Sequence, residues 1–97
     1  MPDWYIYLIR CKDESLYTGI TTDVARRFAE HQSGNGSKYV RCRRPVTLEL
    51  QKKVGSRNLA LVVEHRIKQL TKAQKECLIR DDSRIDKIIS SYLDKDG

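Results

Sequence analysis

Three stretches of the chain are rich in β-branched and aromatic residues, and each predicts a β-strand. Residues 4–11 (WYIYLIRC) are apolar on both faces, which is typical of a central strand that is covered on both sides. Residues 15–21 (SLYTGIT) follow after a turn at KDE, so these two strands are expected to form an antiparallel hairpin. Residues 46–54 (VTLELQKKV) alternate strictly between apolar and polar positions, which predicts a third strand with one face in water.

Helical periodicity appears between the second and third strands. Thr22 is the expected N-cap of a helix at about 23–33, in which Val24, Ala25 and Phe28 form the stripe that faces the core. The segment SGNGS ends this helix and leads into the basic run KYVRCRR, for which we expect an exposed loop.

Three more helices are expected in the second half of the chain. The first lies at about 57–70, Thr71 and Gln74 match a capping box that begins a second, and the last lies at about 83–93. The apolar stripe of the first comprises Leu59, Val63, Ile67 and Leu70. The predicted order ββαβααα defines an α+β fold, with a small three-stranded antiparallel sheet flanked by helices. We expect one domain over residues 1–97, with the last helix as a C-terminal extension.

The register of the hairpin decides whether its two central tyrosines can meet. If the turn pairs Cys11 with Ser15, Tyr7 and Tyr17 lie on the same face of the sheet as diagonal neighbours. Gly19 lies in the same strand as Tyr17, and a strand glycine often marks a close approach of another backbone or a ligand.

The distribution of charge favours a polyanionic partner. The chain has 97 residues with a formal net charge of +6 and a pI of about 9.4, and no acidic residue lies between His31 and Glu49. Taken alone, such a run is usually a solvated loop, and as a binding surface it would suit a polyanion such as nucleic acid. The candidate nucleic-acid-binding residues are Gly19, Lys38, Tyr39, Arg41, Arg43 and Arg44.

Several other classes of protein are disfavoured. Three widely spaced cysteines without a CxxC motif make a poor disulfide framework, and with only two histidines they make a poor zinc site. No apolar run approaches the roughly 20 residues that span a membrane, and the N-terminus lacks the pattern of a signal peptide, so a cytoplasmic protein is expected. No Walker A, GxGxxG, HExxH or GxSxG motif is present.

What remains is a set of residues on strand faces and helix edges that suits phosphodiester chemistry. The set comprises Tyr7, Tyr17, Arg27, His31 and Glu64. It offers a cation for phosphate, a carboxylate for a hard metal ion, and groups that can exchange a proton. Taken singly, each residue has a simpler structural explanation: a strand core position for each tyrosine, a surface or half-buried helix position for His31, an ion pair for Arg27 and a solvated carboxylate for Glu64.

Taken in order, these residues resemble the GIY-YIG nuclease superfamily, and in particular its small stand-alone bacterial members. The resemblance rests on Tyr5-Ile6-Tyr7, on Tyr17-Thr18-Gly19, and on the later Arg27, His31 and Glu64, together with the words LYTGIT, GSKY and EHRIKQLTKAQK. It covers about residues 4–80 and implies a divalent-metal-dependent DNA endonuclease, with DNA repair or recombination as its setting.

The resemblance also implies roles for individual residues. Tyr17 would act as general base or orient the attacking water, and His31 would accept a proton from Tyr17 or position it. Arg27 would grip the scissile phosphate, and Tyr7 would contact phosphate or the water. Glu64 would be the sole protein ligand of a Mg²⁺ (or Mn²⁺) ion.

Two departures from the family pattern define the alternatives. Ile20 stands where many members have a lysine, which makes Lys38 the candidate for that phosphate contact, and no asparagine lies in residues 74–80. The first alternative is accordingly a nucleic-acid-binding module with weak or lost catalysis. The second is an adaptor whose exposed last helix docks a protein partner. A protein partner that supplies specificity is also compatible with the nuclease interpretation.

Overall fold

The chain folds around a three-stranded antiparallel sheet in the order β2-β1-β3. The computed structural model describes residues 2–96, and their side chains up to residue 93. The strands are β1 (Trp4–Arg10), β2 (Leu16–Thr21) and β3 (Thr47–Gly55), and the helices are α1 (Val24–Ser33), α2 (Lys38–Arg41), α3 (Arg57–Lys68), α4 (Lys72–Arg80) and α5 (Ser83–Asp96). The predicted α+β class and the three-stranded sheet are confirmed. The basic run is not entirely loop, because its first four residues form the short helix α2, whose N-cap is Ser37.

Strand β1 is central, as predicted, and separates two hydrophobic clusters. On one face, Ile6 and Leu8 pack with the helices that follow the sheet, α3, α4 and α5. On the other face, Tyr7 and Ile9 pack with α1, α2 and the start of β3. The last helix contributes Ile85, which is fully buried, so one face of α5 packs against the core.

The predicted register of the hairpin is confirmed. The backbone N–H of Cys11 donates to the carbonyl oxygen of Ser15 at 2.9 Å, and Tyr7 lies opposite Gly19 in the ladder. Tyr7 and Tyr17 therefore share one face, and both contribute to the same cluster.

Strand β3 does not have the single wet face that its alternation predicts. Leu50 pairs with Leu8 but Leu48 pairs with Ile9, so Glu49 is an extra residue, a β-bulge, and the pleat changes phase across it. Leu48 accordingly packs in the Tyr7 cluster, whereas Leu50 packs in the opposite one. The Glu49 carboxylate accepts a hydrogen bond from Arg10 Nε at 3.0 Å.

The helix boundaries follow local capping chemistry. Asp23, and not Thr22, is the N-cap of α1, because its carboxylate accepts a hydrogen bond from the Arg26 backbone N–H. The predicted stripe of α1 is correct for Val24 but wrong for Ala25, which is exposed. The capping box that begins α4 is confirmed. In the described part of the chain, the three cysteines are free thiols, and no helix has the length and apolar character to cross a membrane.

Candidate active site

A buried hydrogen bond between Tyr7 and His31 lies at the centre of the candidate site. Tyr7 comes from the middle of the central strand and His31 from the last turn of α1, and Tyr7 Oη lies 3.0 Å from His31 Nε2. The sequence places His31 at the edge of the helix, but the structure buries it completely. The burial comes from the segment after α1, where Gly36 packs directly on the imidazole and leaves no room for a Cβ. This partner differs from the sequence expectation, which paired His31 with Tyr17.

Gly19 provides the space that the Tyr7 phenol occupies. A Cβ at residue 19 would overlap Oη and Cζ of Tyr7. The close approach expected at this glycine is therefore made by a side chain of the same protein.

Tyr17 lies beside this pair and is supported by a stack of side chains. Its ring meets the His31 ring edge-on, with 5.3 Å between centroids, and stacks on the Tyr39 ring at 6.0 Å. The Arg43 guanidinium lies 3.8 Å from the Tyr39 ring centroid and donates to the Tyr39 carbonyl oxygen. Tyr17 is half-buried and Tyr7 is 2% exposed, so Tyr17 is the tyrosine that solvent can reach.

Arg27 extends from α1 toward the same hydroxyl. Its side chain is 33% exposed, and its Nη1 lies 3.2 Å from Glu30 Oε1. The neighbouring Arg26 points outward, is 62% exposed, and has a longer contact of 3.8 Å with the same carboxylate. Of the two adjacent arginines, only Arg27 influences the ionisation of Tyr7.

Glu64 reaches the site from α3. Its side chain is 18% exposed, which places it at the boundary between core and solvent as the sequence predicts. Lys68, one turn later, lies 3.5 Å from the Glu64 carboxylate. The charge of Glu64 acts on the ionisation of Tyr7, so the two groups lie within electrostatic range across the edge of the sheet.

The environment keeps the buried Tyr7–His31 pair neutral at pH 7. Burial raises the pKa of Tyr7 to about 12; the hydroxyl of Tyr17 adds to this rise, Arg27 opposes it, and Glu64 adds further. Burial also lowers the pKa of His31, and the positive charge of Arg27 lowers it further, against a smaller opposite effect from Glu30. Tyr7 thus remains a phenol that can donate, and His31 remains an imidazole that can accept or donate.

The site offers one carboxylate to a metal ion. No group of three or more His, Cys, Asp or Glu side chains that could hold a metal lies within the described residues. Mg²⁺ does not require such a group, since it keeps several waters and is commonly held by one or two carboxylates together with substrate phosphate. A single, partly exposed carboxylate such as Glu64 therefore fits Mg²⁺ or Mn²⁺.

Two arginines of the basic segment have intramolecular partners. Arg43 pairs with Asp13 at 3.0 Å, in addition to its contacts with Tyr39. Arg44 donates to the carbonyl oxygens of Gln32 and Arg41, at the ends of α1 and α2. Lys38 and Arg41 are exposed and form no ion pair with any other side chain that the structure describes.

Sequence reasoning missed three residues around this site. Gly36, which covers His31, stands in a segment that composition marks only as a loop. Lys68 and Lys75 line a groove together with Tyr17 and Tyr39. Lys68 had one available signal, its position four residues after Glu64; Lys75 had none, because α4 reaches the site only through the tertiary fold.

Comparison with known proteins agrees with this geometry. The family model described as the GIY-YIG catalytic domain matches residues 3–76. The UPF0213 protein YhbQ of Salmonella arizonae is 53% identical over 91 residues, which cover 94% of this chain and 91% of that protein. A UPF0213 protein of Cronobacter sakazakii is 60% identical over 79 residues, which cover 81% of this chain and 83% of the relative.

Two solved structures have the same fold. The solution NMR structure of a UPF0213 protein from Bacillus halodurans has a TM-score of 0.53 at 42% identity, and the match covers 80% of this chain and 83% of that one. A protein from E. faecalis, also solved by solution NMR, has a TM-score of 0.58 at 38% identity, and the match covers 82% and 85% of the two chains.

Proposed function

The chain belongs to the GIY-YIG catalytic domain family, a family of nuclease-type domains, and from this membership we propose that it is a divalent-metal-dependent endonuclease that hydrolyses phosphodiester bonds in DNA. The names of the UPF0213 relatives state no activity, so the proposal rests on the family and on the composition of the candidate site.

The observation that supports the proposal most directly is the surroundings of the Tyr7 hydroxyl. It bonds to His31, and its pKa responds to Tyr17, Arg27 and Glu64, which come from β2, α1 and α3. Phenol, imidazole, guanidinium and carboxylate groups from three elements thus act on one hydroxyl. Such a collection has no packing function that apolar residues could not serve at lower cost in desolvation.

Each group has a task in the proposed reaction. Arg27 is half-exposed and permanently charged, so it would hold the scissile phosphate and stabilise the negative charge that develops on its oxygens. Tyr17 is the tyrosine that solvent reaches, so it would orient the attacking water and, as a phenolate that has passed its own proton to solvent, would receive the proton of that water. The neutral Tyr7–His31 pair, on the buried side of the candidate site, would fix the positions of Arg27 and Tyr17.

The proposed metal ion is Mg²⁺ or Mn²⁺, with Glu64 as its protein ligand. A bound divalent cation would supply Lewis-acid polarisation of the phosphate and a lower pKa for a coordinated water. A DNA substrate would locate the protein in the cytoplasm of a bacterium, with DNA repair or recombination as the setting that the family implies.

A nucleic-acid-binding module with weak or lost catalysis is the second candidate. The lysine that many family members carry is replaced by Ile20, and the structure gives Arg43 and Arg44 intramolecular partners. Lys38, the substitute suggested by the sequence, is exposed and without an ion pair among the described side chains.

A cleavage assay with a matched pair of glutamate variants tests the proposal. Purified protein is incubated with supercoiled plasmid, single-stranded DNA and branched DNA in Mg²⁺, in Mn²⁺ and in EDTA. We expect metal-dependent cleavage, which Glu64→Gln lowers by at least about 10²-fold, the loss that follows removal of a transition-state charge stabiliser. Glu14→Gln serves as control, because that side chain is 71% exposed in the turn between β1 and β2 and pairs with Arg10.

The assay also separates the two candidates. Binding of DNA without cleavage in either metal would identify the binding module. Cleavage by Glu64→Gln at the wild-type rate would show that the metal ligand has been assigned wrongly.

A further inference from the structure

A groove runs along the free edge of β2, next to the candidate site. Its volume is about 320 Å³, and it is lined by Leu16, Tyr17, Thr18, Tyr39, Lys68 and Lys75. Strand β2 is at the edge of the sheet, so one of its sides has no neighbouring strand. Tyr17 belongs both to this groove and to the candidate site, which makes the two continuous.

The hairpin register turns backbone groups toward the groove. The hydrogen bond from Cys11 to Ser15 fixes the alternation, so Tyr17 and Gly19 exchange hydrogen bonds with β1. Thr18 lies between these two residues and Leu16 precedes them. The backbone N–H and C=O groups of Leu16 and Thr18 consequently point away from β1. An outward N–H on an edge strand is an unpaired donor.

The opposite wall of the groove is cationic. Lys68 is 54% exposed and forms an ion pair with Glu64. Lys75 has no ion pair with any side chain among residues 2–93. Among the side chains that the structure describes, no carboxylate lines the groove. Backbone donors on one side and ammonium groups on the other form a combination that suits anionic oxygens.

We propose that this groove binds the sugar–phosphate backbone of one nucleic-acid strand, next to the scissile phosphate, with Lys75 and Lys68 each contacting a phosphate. The inference rests on the proposed function and extends it, since it says which way the substrate strand leaves the site. The strand passes Tyr17, follows the edge of β2, and lies against the exposed side of Tyr39, which is 40% exposed.

The edge of β2 would also accept a β-strand from another protein or a second copy of this chain. The two lysines and the net charge of +6 favour a polyanion over a peptide strand. The test below distinguishes the two occupants.

The salt dependence of DNA binding measures the proposed contacts. A fluorescein-labelled single-stranded 12-mer is titrated with protein in EDTA, so that no cleavage occurs, at several KCl concentrations. Because each phosphate contact on a single strand contributes about 0.7 to the slope of log K against log[KCl], we expect Lys75→Gln to reduce the slope by about 0.7. Lys87→Gln makes the same change of charge on α5, away from the groove, and should leave the slope unchanged.

Neutral phosphates locate the contact on the strand. A methylphosphonate is placed at each position of the 12-mer in turn. We expect one position at which neutralisation weakens binding by the wild type, whereas the same replacement has no further effect on Lys75→Gln. Lysine and glutamine have similar helix propensity, so circular dichroism should show that the variant is folded.

These experiments test nucleic-acid binding in the groove separately from the proposed cleavage activity. A slope that changes with Lys75→Gln in a protein that never cleaves DNA would support the groove and reject the nuclease. Cleavage that persists while Lys75→Gln and Lys87→Gln have the wild-type slope would reject the groove alone. A concentration-dependent dimer in analytical ultracentrifugation that Lys75→Gln disrupts would show that the edge binds a second copy, and would also reject it.

Discussion

Gly19 lies directly opposite Tyr7 in the β1–β2 ladder, and the phenol of Tyr7 fills the space that a Cβ at residue 19 would need. We predict that Gly19→Ala destabilises the protein by about 1–3 kcal/mol, the usual cost of overpacking a core. The free energy of unfolding in urea measures this loss. A variant as stable as the wild type would show that the sheet can move apart at this point.

Tyr7→Phe provides a second test of the same contact, because it removes the hydroxyl oxygen, the atom that the added Cβ would meet first. Alone, Tyr7→Phe should cost about 1–3 kcal/mol, since it leaves His31 Nε2 buried without its partner. The double variant should lose less free energy of unfolding than the sum of the losses of the two single variants, by at least about 0.5 kcal/mol. Strict additivity would mean that the hydroxyl oxygen does not cause the overlap, since Cζ remains in the phenylalanine ring.

Two adjacent arginines on α1 allow a matched test of phosphate binding. We predict that Arg27→Lys lowers the rate of DNA cleavage by about 10²–10³-fold, because an ammonium cannot replace a planar guanidinium that stabilises transition-state charge. Arg26→Lys keeps the same charge on the outward side of the same helix and should cleave at the wild-type rate. Equal rates for the two variants would exclude Arg27 from the site.

Tyr17 is predicted to contribute to the rate and not to the binding of DNA. Tyr17→Phe should lower the cleavage rate by about 10²–10⁴-fold, the range for loss of a general base, while the affinity for DNA in EDTA stays unchanged. Tyr5→Phe is the control, since Tyr5 packs partly buried in the same cluster on the same face of the sheet. A parallel loss of affinity and rate would instead indicate that Tyr17 holds the substrate.

The buried imidazole predicts a specific dependence of stability on pH. Because the pKa of His31 is lower in the folded protein, the unfolded chain binds this proton more tightly. The contribution of neutral His31 to the free energy of unfolding is therefore complete above the unfolded pKa of about 6.5, and it is lost as the pH falls below that value. His31→Gln should show a smaller fall in the urea midpoint between pH 8 and pH 5 than the wild type.

His65→Gln is the matched control, because His65 is exposed on α3, and it should keep the full pH dependence. NMR titration of the His31 ring provides an independent reading that does not depend on the variant. A His31 pKa at or above its ordinary value would contradict the burial-based explanation.

The sequence predicts those features of the fold that depend on nearby residues. The α4 capping box followed from Thr71 and Gln74 and is confirmed, and the hairpin has the one register, of those left open, that pairs Cys11 with Ser15. The single wet face of β3 was wrong because Glu49 is bulged, and a bulge depends on the partner strand and on Arg10, not on the alternation of β3 itself.

In the candidate site too, the features that depend on the tertiary fold were not predictable from the sequence. The order of Tyr7, Tyr17, Arg27, His31 and Glu64 in the sequence was sufficient to propose a site, but the partner of His31 was not predictable. Its complete burial depends on Gly36, which lies five positions later and packs on the ring in the folded protein. The role of Tyr39 as a support for Tyr17 likewise depends on a contact between α2 and β2 that no local pattern records.

The bulge at Glu49 also restricts how β3 can align with β1. In a regular strand, sliding by two residues returns the same side chains to the same faces, so such slips are weakly opposed. Here β3 changes phase at two places, opposite Trp4–Tyr5 and opposite Leu8–Ile9, and sliding would carry both elsewhere. Only one alignment of β3 satisfies both cores, and α3 begins immediately after β3. The position of Glu64 along the sheet is therefore set jointly by these two irregularities of β3, a strand that lies two strands away from Tyr17.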